Sequence, residues 1–530
     1  MSASRARGTA PGIDVRKRRV FGCGPFYHAG MSYPTMPSPA ICDRARASKD
    51  ARFDGLFFTA VRSTHIYCRP VCPAPTPKRQ NITYYPTAAA ATADGYRPCL
   101  RCRPELSPEA HARGSDDAVQ RALALIADGA LQDGSIETLA ARVGIGSRQL
   151  RRVFLSHAGA TPIAVHTTRR LLLAKQLLTE TTLPITQVAL AAGFNSLRRF
   201  NAAFLEGCRM PPSALRKRRA GTGMRAIRRQ RGETPSATLT LRLGYRPPLA
   251  FAAMLAFLAK RAIPGIERVG TDSYERVIGP IDASTWIRVT ASHAKPELLL
   301  EISNTDPRAI PDIVRRVRRM FDLDADLAAV HAVLRDEPLL AKGIRKRPGL
   351  RVPGGWDGFE IAVRAVLGQQ VSVAGATTLA RRLVDAYGES RVDAREGLDR
   401  MFPTPERLRD APLEKIGLPK TRAATLRSLA MAVIAQRIHF GPGQRLDAFV
   451  ESLVALPGIG PWTAHYVAMR ALGHPDAFPA GDLVLQQVLG GDKRLSERAT
   501  DARSQAWRPW RAYTVLHLWH LANDMAKEKT

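Results

Sequence analysis

Four cysteines and one aspartate have the types and spacing in this chain that could do chemistry. Cys68-x3-Cys72 and Cys99-x2-Cys102 form two knuckles able to close on a single tetrahedral ion, and four soft thiolates with no histidine select Zn2+. A purely structural zinc that folds a core-poor module accounts for the spacing. A reactive site accounts for it too: Zn2+ with four thiolates is a dianion, so the sulfurs stay ionised at neutral pH and can attack an alkyl group. Far along the chain, Leu456-Pro-Gly458-Ile-Gly460-Pro-Trp462-Thr463-Ala464 joins two helical stretches through a Gly-x-Gly turn. Its glycines let backbone N–H groups approach a phosphate at a helix N-terminus, or simply turn the chain. Phe478-Pro-Ala-Gly481-Asp482 then sets one carboxylate after a Pro-Gly break in an otherwise apolar stretch. A carboxylate at a partly desolvated helix start, facing developing positive charge, is what cleavage of a glycosidic bond requires; the same Asp can serve as an N-cap. Trp462, Tyr466 and Trp519 can line a pocket where a flipped base stacks, or can pack in the core. Alkylation at purine N3 or N7 leaves the base cationic, which strengthens stacking and improves the leaving group.

These groups need elements to hold them. Residues 1–47 are rich in Pro, Gly and Ser without periodicity and read as a disordered basic tail. Residues 48–106 hold short β-like runs, Leu56 to Val61 and Ile82 to Tyr85, with too little core to fold without a metal. Residues 115–219 are helical and contain a duplication: Thr138 to Phe154 and Ile185 to Phe204 each read helix, glycine turn, Ser N-cap, helix. The second helix of each copy places Arg148, Gln149, Arg151 and Arg152, or Arg198, Arg199 and Asn201, opposite an apolar face. Such side chains reach base edges and phosphates in a major groove. Arg216 to Arg231 contains no acid, and residues 220–237 read as a solvated basic linker. Within 238–318, Thr238 to Leu243 and Trp286 to Ala291 alternate as strands around a helix at Leu249 to Arg261; 319–530 is helical, cut by Gly and Pro turns.

Charge and cysteine usage agree with this layout. The 530 residues carry 79 Lys and Arg against 47 Asp and Glu, a formal net charge of +32, while a 45% hydrophobic fraction is that of ordinary globular domains. The excess points to a polyanion, with nucleic acid preferred over a membrane face, and no apolar run is long enough to span a bilayer. Seven cysteines, none after Cys208, do not make a secreted disulfide framework. The basic N-terminus lacks an apolar segment, so a cytoplasmic protein is expected, with an organellar transit peptide the competing reading.

Residues 53 to 104, Phe-Asp-Gly-Leu-Phe-Phe-Thr-Ala-Val through Ile-Tyr-Cys68-Arg-Pro-Val-Cys72 to Tyr-Arg-Pro-Cys99-Leu-Arg-Cys102, resemble the N-terminal domain of Ada-type adaptive-response proteins. The resemblance implies a Zn2+ held by Cys68, Cys72, Cys99 and Cys102, with Cys68 accepting methyl groups irreversibly from DNA methyl phosphotriesters. Arg69 and Arg101, beside the ligands, become candidate phosphate contacts or plain surface arginines. The duplicated helix pair, with Gly193-Phe194 and Pro211, resembles the AraC-type DNA-binding domain. Residues 238 to 522 resemble AlkA-type alkylpurine DNA glycosylases through Tyr245-Arg-Pro-Pro248, Gly349-Leu-Arg-Val-Pro-Gly354, Val363 to Ala374, the Gly458/Gly460 hairpin, and Trp507-Arg-Pro-Trp510 leading to Leu516-His-Leu-Trp519. That implies a catalytic Asp482 and a base pocket of Trp462, Tyr466, Trp519 and Phe257. Bifunctional relatives place a lyase lysine where Trp462 stands, so a monofunctional enzyme is implied. The family has an apolar wedge after Leu-Gly-Gln; here that position is Gln370, which can fill space and bond to the orphaned base. The Gly481-Asp482-Leu483 loop lacks the neighbouring acid and aromatic, which implies an altered substrate range.

The expected fold class is therefore multidomain, mainly α with α+β. It comprises a small zinc-held four-cysteine α/β module, an AraC-type double helix-turn-helix, an α+β subdomain like the TATA-binding protein, and an all-α helix-hairpin-helix glycosylase domain. The expected function is DNA alkylation repair: a glycosylase of the DNA-3-methyladenine glycosylase II class, a single-turnover methylphosphotriester-DNA cysteine methyltransferase, and a transcription regulator. The partners implied are duplex DNA with alkylation damage, promoter DNA and, as a further candidate, RNA polymerase, with no membrane. The alternatives are a regulator whose glycosylase half only binds damaged DNA, and a zinc that is structural alone. With no Pro-Cys-His-Arg run, transfer from guanine O6 is not expected.

Overall fold

The computed structural model describes residues 36–109, 118–220, 238–279, 285–303 and 305–528. Part of the expected tail is structured: Pro39–Ala47 forms helix α1, started by a proline in its first turn, and its buried Cys42 and Ala45 pack on Phe57. Four strands follow, β1 (Phe58–Val61), β2 (Ile66–Cys68), β3 (Ile82–Tyr85) and β4 (Arg97–Pro98), in the order β3-β1-β2-β4, antiparallel except for β2 with β4. Helix α2 (Ala88–Ala93), capped by Thr87, lays its alanines against Phe58, Ala60 and Tyr67. These two small clusters of side chains make a core of the size expected of a module that leans on a metal.

The duplication folds as two three-element units. Helices α3 (Ala118–Ala127), α4 (Ile136–Arg142) and α5 (Ser147–Ala158) close on Leu125, Leu139, Leu150 and Phe154. A long helix α6 (Pro162–Glu180) leads to α7 (Ile185–Ala191), α8 (Leu197–Cys208) and α9 (Pro212–Ala220) around Val188, Phe200 and Phe204. Helix α9 runs to Ala220, so the start of the basic stretch from Arg216 to Arg231 is helical; residues 221–237, nearly all of the expected linker, lie outside the described residues.

An antiparallel five-stranded sheet comes next, in the order β5 (Thr238–Gly244), β9 (Glu297–Ser303), β8 (Thr285–Ala291), β7 (Ser273–Ile278), β6 (Glu267–Val269). Its buried Leu241, Leu243, Ile287 and Leu300 are continuous with the core of the second helix-turn-helix. The remaining body is helical around Val363, Leu383, Leu426, Phe449, Val467 and Leu518, with one departure: β10 (Glu389–Arg395) and β11 (Leu398–Met401) form a hairpin turned at Glu396-Gly397 and docked on the sheet subdomain through Arg400 N–H to Gly265 C=O, 3.0 Å. Among the described residues no helix is long and apolar enough to cross a membrane.

A buried polar chain ties the zinc-knuckle module to the rest. Arg69 donates to both Asp54 carboxylate oxygens (2.9 and 3.0 Å) and to Cys102 C=O (3.0 Å). Arg246 donates to Asp54 C=O (3.0 Å) and Glu109 C=O (3.1 Å), and Glu109 N–H donates to Asp324 (2.8 Å). Lys175 on α6 pairs with Glu105 where both are buried. Arg69 is thus held inside at 8% exposure and is no phosphate contact: burying a guanidinium is tolerable only when it is paired, and Asp54 pairs it.

Candidate functional site

In the zinc-knuckle module, β2 delivers Cys68 at its end, opposite Thr59. The four sulfurs of Cys68, Cys72, Cys99 and Cys102 lie within 4.8 Å of one another, which fits one tetrahedral ion with metal–sulfur distances of about 2.3 Å. Cys99 and Cys102 are buried, and each accepts a backbone N–H, from Arg101 and Arg69 respectively, both at 3.3 Å. Cys68 and Cys72 are half-buried.

All seven side chains expected to read DNA, Arg148, Gln149, Arg151 and Arg152 on α5 and Arg198, Arg199 and Asn201 on α8, are exposed, while Leu150, Phe154, Phe200 and Phe204 are buried beneath them. Ser196 caps α8 as expected. In the first copy the cap falls one residue earlier, at Gly146, and Ser147 is the first helical residue.

The helical body builds the second site. A cavity of about 620 Å3 opens at its seam with the sheet subdomain. The Pro461–Val467 helix contributes Trp462 and Tyr466, the C-terminal Arg511–Glu528 helix Trp519, the Phe251–Ala259 helix Phe257, and the Leu483–Gly490 helix its N-cap, Asp482. Four N–H groups converge on this carboxylate. Val484 and Leu485 N–H donate to Oδ1 at 3.0 and 3.1 Å; Trp462 Nε1 donates to Oδ2 at 3.3 Å and Trp519 Nε1 to Oδ1 at 3.4 Å. The loop before Asp482 is fixed by Asp476, which accepts from Arg511 (2.7 and 2.8 Å) and Arg508 (2.7 Å), and by buried Phe478, edge-on to Trp507. Trp462 and Tyr466 stack at 5.5 Å and 17°; Phe257 and Trp519 lie near-parallel, 14° apart, at 6.3 Å.

The Gly-x-Gly turn leads into the helix that carries Trp462. Gly458 has φ +83°, and a Cβ there would lie 2.1 Å from Thr425 Oγ1, so glycine is required; a Cβ on Gly460 would meet open space. Gln369 bridges to Gly458 C=O (2.9 Å) and Thr463 Oγ1 (3.1 Å), and Arg422 holds the Gln369 carbonyl (2.8 Å). Gln370 follows at φ +56°, exposed, next to Val371, which is 40% exposed and lines the cavity.

Sequence reasoning missed Arg470. It is 4% exposed, lines the cavity, and donates to the Tyr466 hydroxyl at 2.8 Å and to Gly354 C=O at 3.2 Å. Burial lowers its pKa. Burial alone would raise the Tyr466 pKa, but Arg470 and Arg261 beside it bring the phenol below its ordinary value. The available signal was a lone arginine one helical turn after Tyr466 in an apolar run.

Fold and sites together define a modular DNA-damage protein, a helix-hairpin-helix glycosylase joined to a zinc-cysteine module and a double helix-turn-helix. Residues 41–105 match the metal binding domain of Ada, 139–218 a helix-turn-helix domain, 240–357 the AlkA N-terminal domain, and 363–512 the HhH-GPD superfamily of base excision DNA repair proteins. A relative from Mycobacterium tuberculosis, described as a "probable bifunctional transcriptional activator/DNA repair enzyme AlkA", is 40% identical over 485 residues, 90% of this chain and 95% of the relative. DNA-3-methyladenine glycosylase 2 of Escherichia coli is 32% identical over 281 residues, 52% of this chain and 96% of its own. The bifunctional transcriptional activator/DNA repair enzyme Ada of Escherichia coli is 37% identical over 117 residues, 22% of this chain and 32% of its own. The chain belongs to the family of bifunctional AlkA-type transcriptional activator/DNA repair enzymes. It unites a DNA glycosylase domain of the 3-methyladenine family, an Ada zinc-binding domain whose four cysteines suit one Zn2+, and an AraC-type helix-turn-helix, and DNA is its partner.

Proposed function

We propose that Asp482 is the catalytic carboxylate of a monofunctional glycosylase that releases alkylated purines. The observation that carries this is the convergence of two indole and two backbone N–H groups on one carboxylate at the wall of an aromatic cavity. Those donors fix its oxygens, so it needs no reorganisation as positive charge develops at C1′. The purine stacks among Trp462, Tyr466, Trp519 and Phe257; the C1′–N bond breaks with its electrons going to the base, and water adds at C1′ with loss of a proton. Gly458 and Gly460 hold the backbone, while Gln370 and exposed Val371 fill the gap left by the flipped base. Base release from methylated duplex DNA tests the reading: no 3-methyladenine released, or equal release by Asp482→Asn, would refute it.

The zinc-knuckle module serves as a methyl acceptor in the same reading. Bound Zn2+ would keep the four sulfurs ionised at neutral pH. Among the described residues no backbone N–H donates to Cys68, unlike Cys99 and Cys102, so that bond draws no electron density from its sulfur, and Cys68, like Cys72, is half-buried. Its Sγ attacks the methyl carbon of a phosphotriester, forming S–CH3 as the C–O bond breaks and the phosphodiester leaves with the electron pair. The loss of negative charge then favours DNA, so that α5 and α8 engage promoter DNA and RNA polymerase is recruited in the cytoplasm. Mass spectrometry of Cys68 after exposure to methylated DNA tests this; absence of an added methyl refutes it.

A further inference from the structure

The cavity carries a charge pattern that suits more than cationic bases. Arg276 and Arg364, which line it, are matched by Glu267 and Glu360. Arg261 and Arg470 are not: among the described residues neither forms an ion pair with a carboxylate. Their guanidinium groups sit 3.7 and 4.8 Å from the Phe257 ring centroid. Arg470 belongs to a five-residue π-helical turn, Ala468–Leu472, the kind of local widening that re-aims a side chain and recurs at functional sites. Because the Tyr466 oxygen accepts from Arg470 at 2.8 Å, its own hydrogen remains to be donated, and among the described residues no protein acceptor takes it.

Resting on the glycosylase reading above, we propose that Tyr466, held and polarised by Arg470 with Arg261 beside it, is the hydrogen-bond donor that assists departure of neutral damaged purines. The chemistry separates two substrate classes. A purine alkylated at N3 or N7 already bears a positive charge, so breaking C1′–N9 frees a neutral base. A neutral purine leaves with the bonding electron pair as an anion, and that charge develops on a ring nitrogen or exocyclic oxygen. A donor backed by two unpaired guanidinium groups stabilises this charge, and the departed base gains the proton equivalent that the adding water loses, so the sum is base release plus an abasic hydroxyl. Tyr466 is then a catalytic residue beside Asp482, and Arg470 a positioning residue acting through it.

The test uses the full chain in single-turnover reactions at saturating enzyme, where the rate reports bond cleavage rather than binding. Wild type, Tyr466→Phe, Arg470→Lys and Arg470→Met are compared on duplexes containing 7-methylguanine, a cationic base, or hypoxanthine, a neutral one. The ratio of neutral to cationic release is expected to fall at least tenfold in Tyr466→Phe and in Arg470→Met and to recover partly in Arg470→Lys. Across neutral purines of increasing N9 basicity, the loss in Tyr466→Phe should grow. A ratio unchanged within threefold, a loss indifferent to leaving-group basicity, or a wild type that frees cationic bases but no neutral purine would each overturn the inference while leaving the glycosylase reading intact. A wild type that frees neither base would sink the reading itself.

Discussion

Replacing Asp482 by Asn separates its chemical role from its structural one. Asn caps helices about as well as Asp, so Val484 and Leu485 N–H keep an acceptor, and the lost charge at the helix start costs about 0.3–1 kcal/mol. One indole N–H then faces an amide N–H2 instead of an oxygen, which adds about 1 kcal/mol. The fold should survive with a slightly lower Tm. Catalysis should not: a carboxylate about 4 Å from a unit positive charge gains about 4 kcal/mol at an effective dielectric of about 20, or roughly 1,000-fold in rate, and the neutral amide recovers only part. Single-turnover release of 3-methyladenine should fall roughly 100- to 1,000-fold while the melting curve and duplex binding stay close to wild type. Release within threefold of wild type by a well-folded Asp482→Asn protein would refute the electrostatic argument.

Three other outcomes follow from the geometry. Gly458→Ala forces a Cβ into Thr425 and holds a left-handed φ on a residue with a side chain, so it should cost at least about 1–2 kcal/mol and weaken base release, whereas Gly460→Ala, facing open space, should leave chemical denaturation within about 1 kcal/mol of wild type. His517 is 1% exposed, and burial, with His331, His520 and Arg347 near it, lowers its pKa from 6.5 to about 3. The unfolded chain takes up a proton below pH 6.5 that the folded chain resists, so this site's contribution is fully present above pH 6.5 and is lost as pH falls toward 3, by up to about 1.4 kcal/mol per pH unit. His517→Phe should flatten Tm against pH in that window, and an unchanged slope would count against it. DNA affinity should drop steeply with salt, because exposed Arg148, Arg151, Arg152, Arg198 and Arg199 are suited to contact phosphate; a log–log slope near zero in a binding titration would contradict this.

Short-range pattern made much of the molecule legible in advance. The cysteine knuckles, the duplicated helix pair with Ser196 as a cap, and Asp482 at a helix start all follow from neighbours a few residues apart, where local geometry dictates contact. The helix at Pro39–Ala47 and the β10–β11 hairpin were not legible. The first is held by the contact of Cys42 and Ala45 with Phe57, and the second by docking on Gly265, neither of which is written in its own segment.

The amino-acid sequence by itself determined the four-cysteine cluster, the exposed basic faces of α5 and α8, a carboxylate at a helix start and the order of the modules, because each is a local arrangement of residue types. Only the tertiary structure decided that Arg69 is a buried partner of Asp54 rather than a DNA contact, that Arg246 reaches Asp54 across 192 positions, and that Arg470 stands behind Tyr466 in the base cavity. A charged side chain looks the same in sequence whether solvated or buried. What fixes its role is which distant group neutralises or accepts from it, and folding alone brings those groups together.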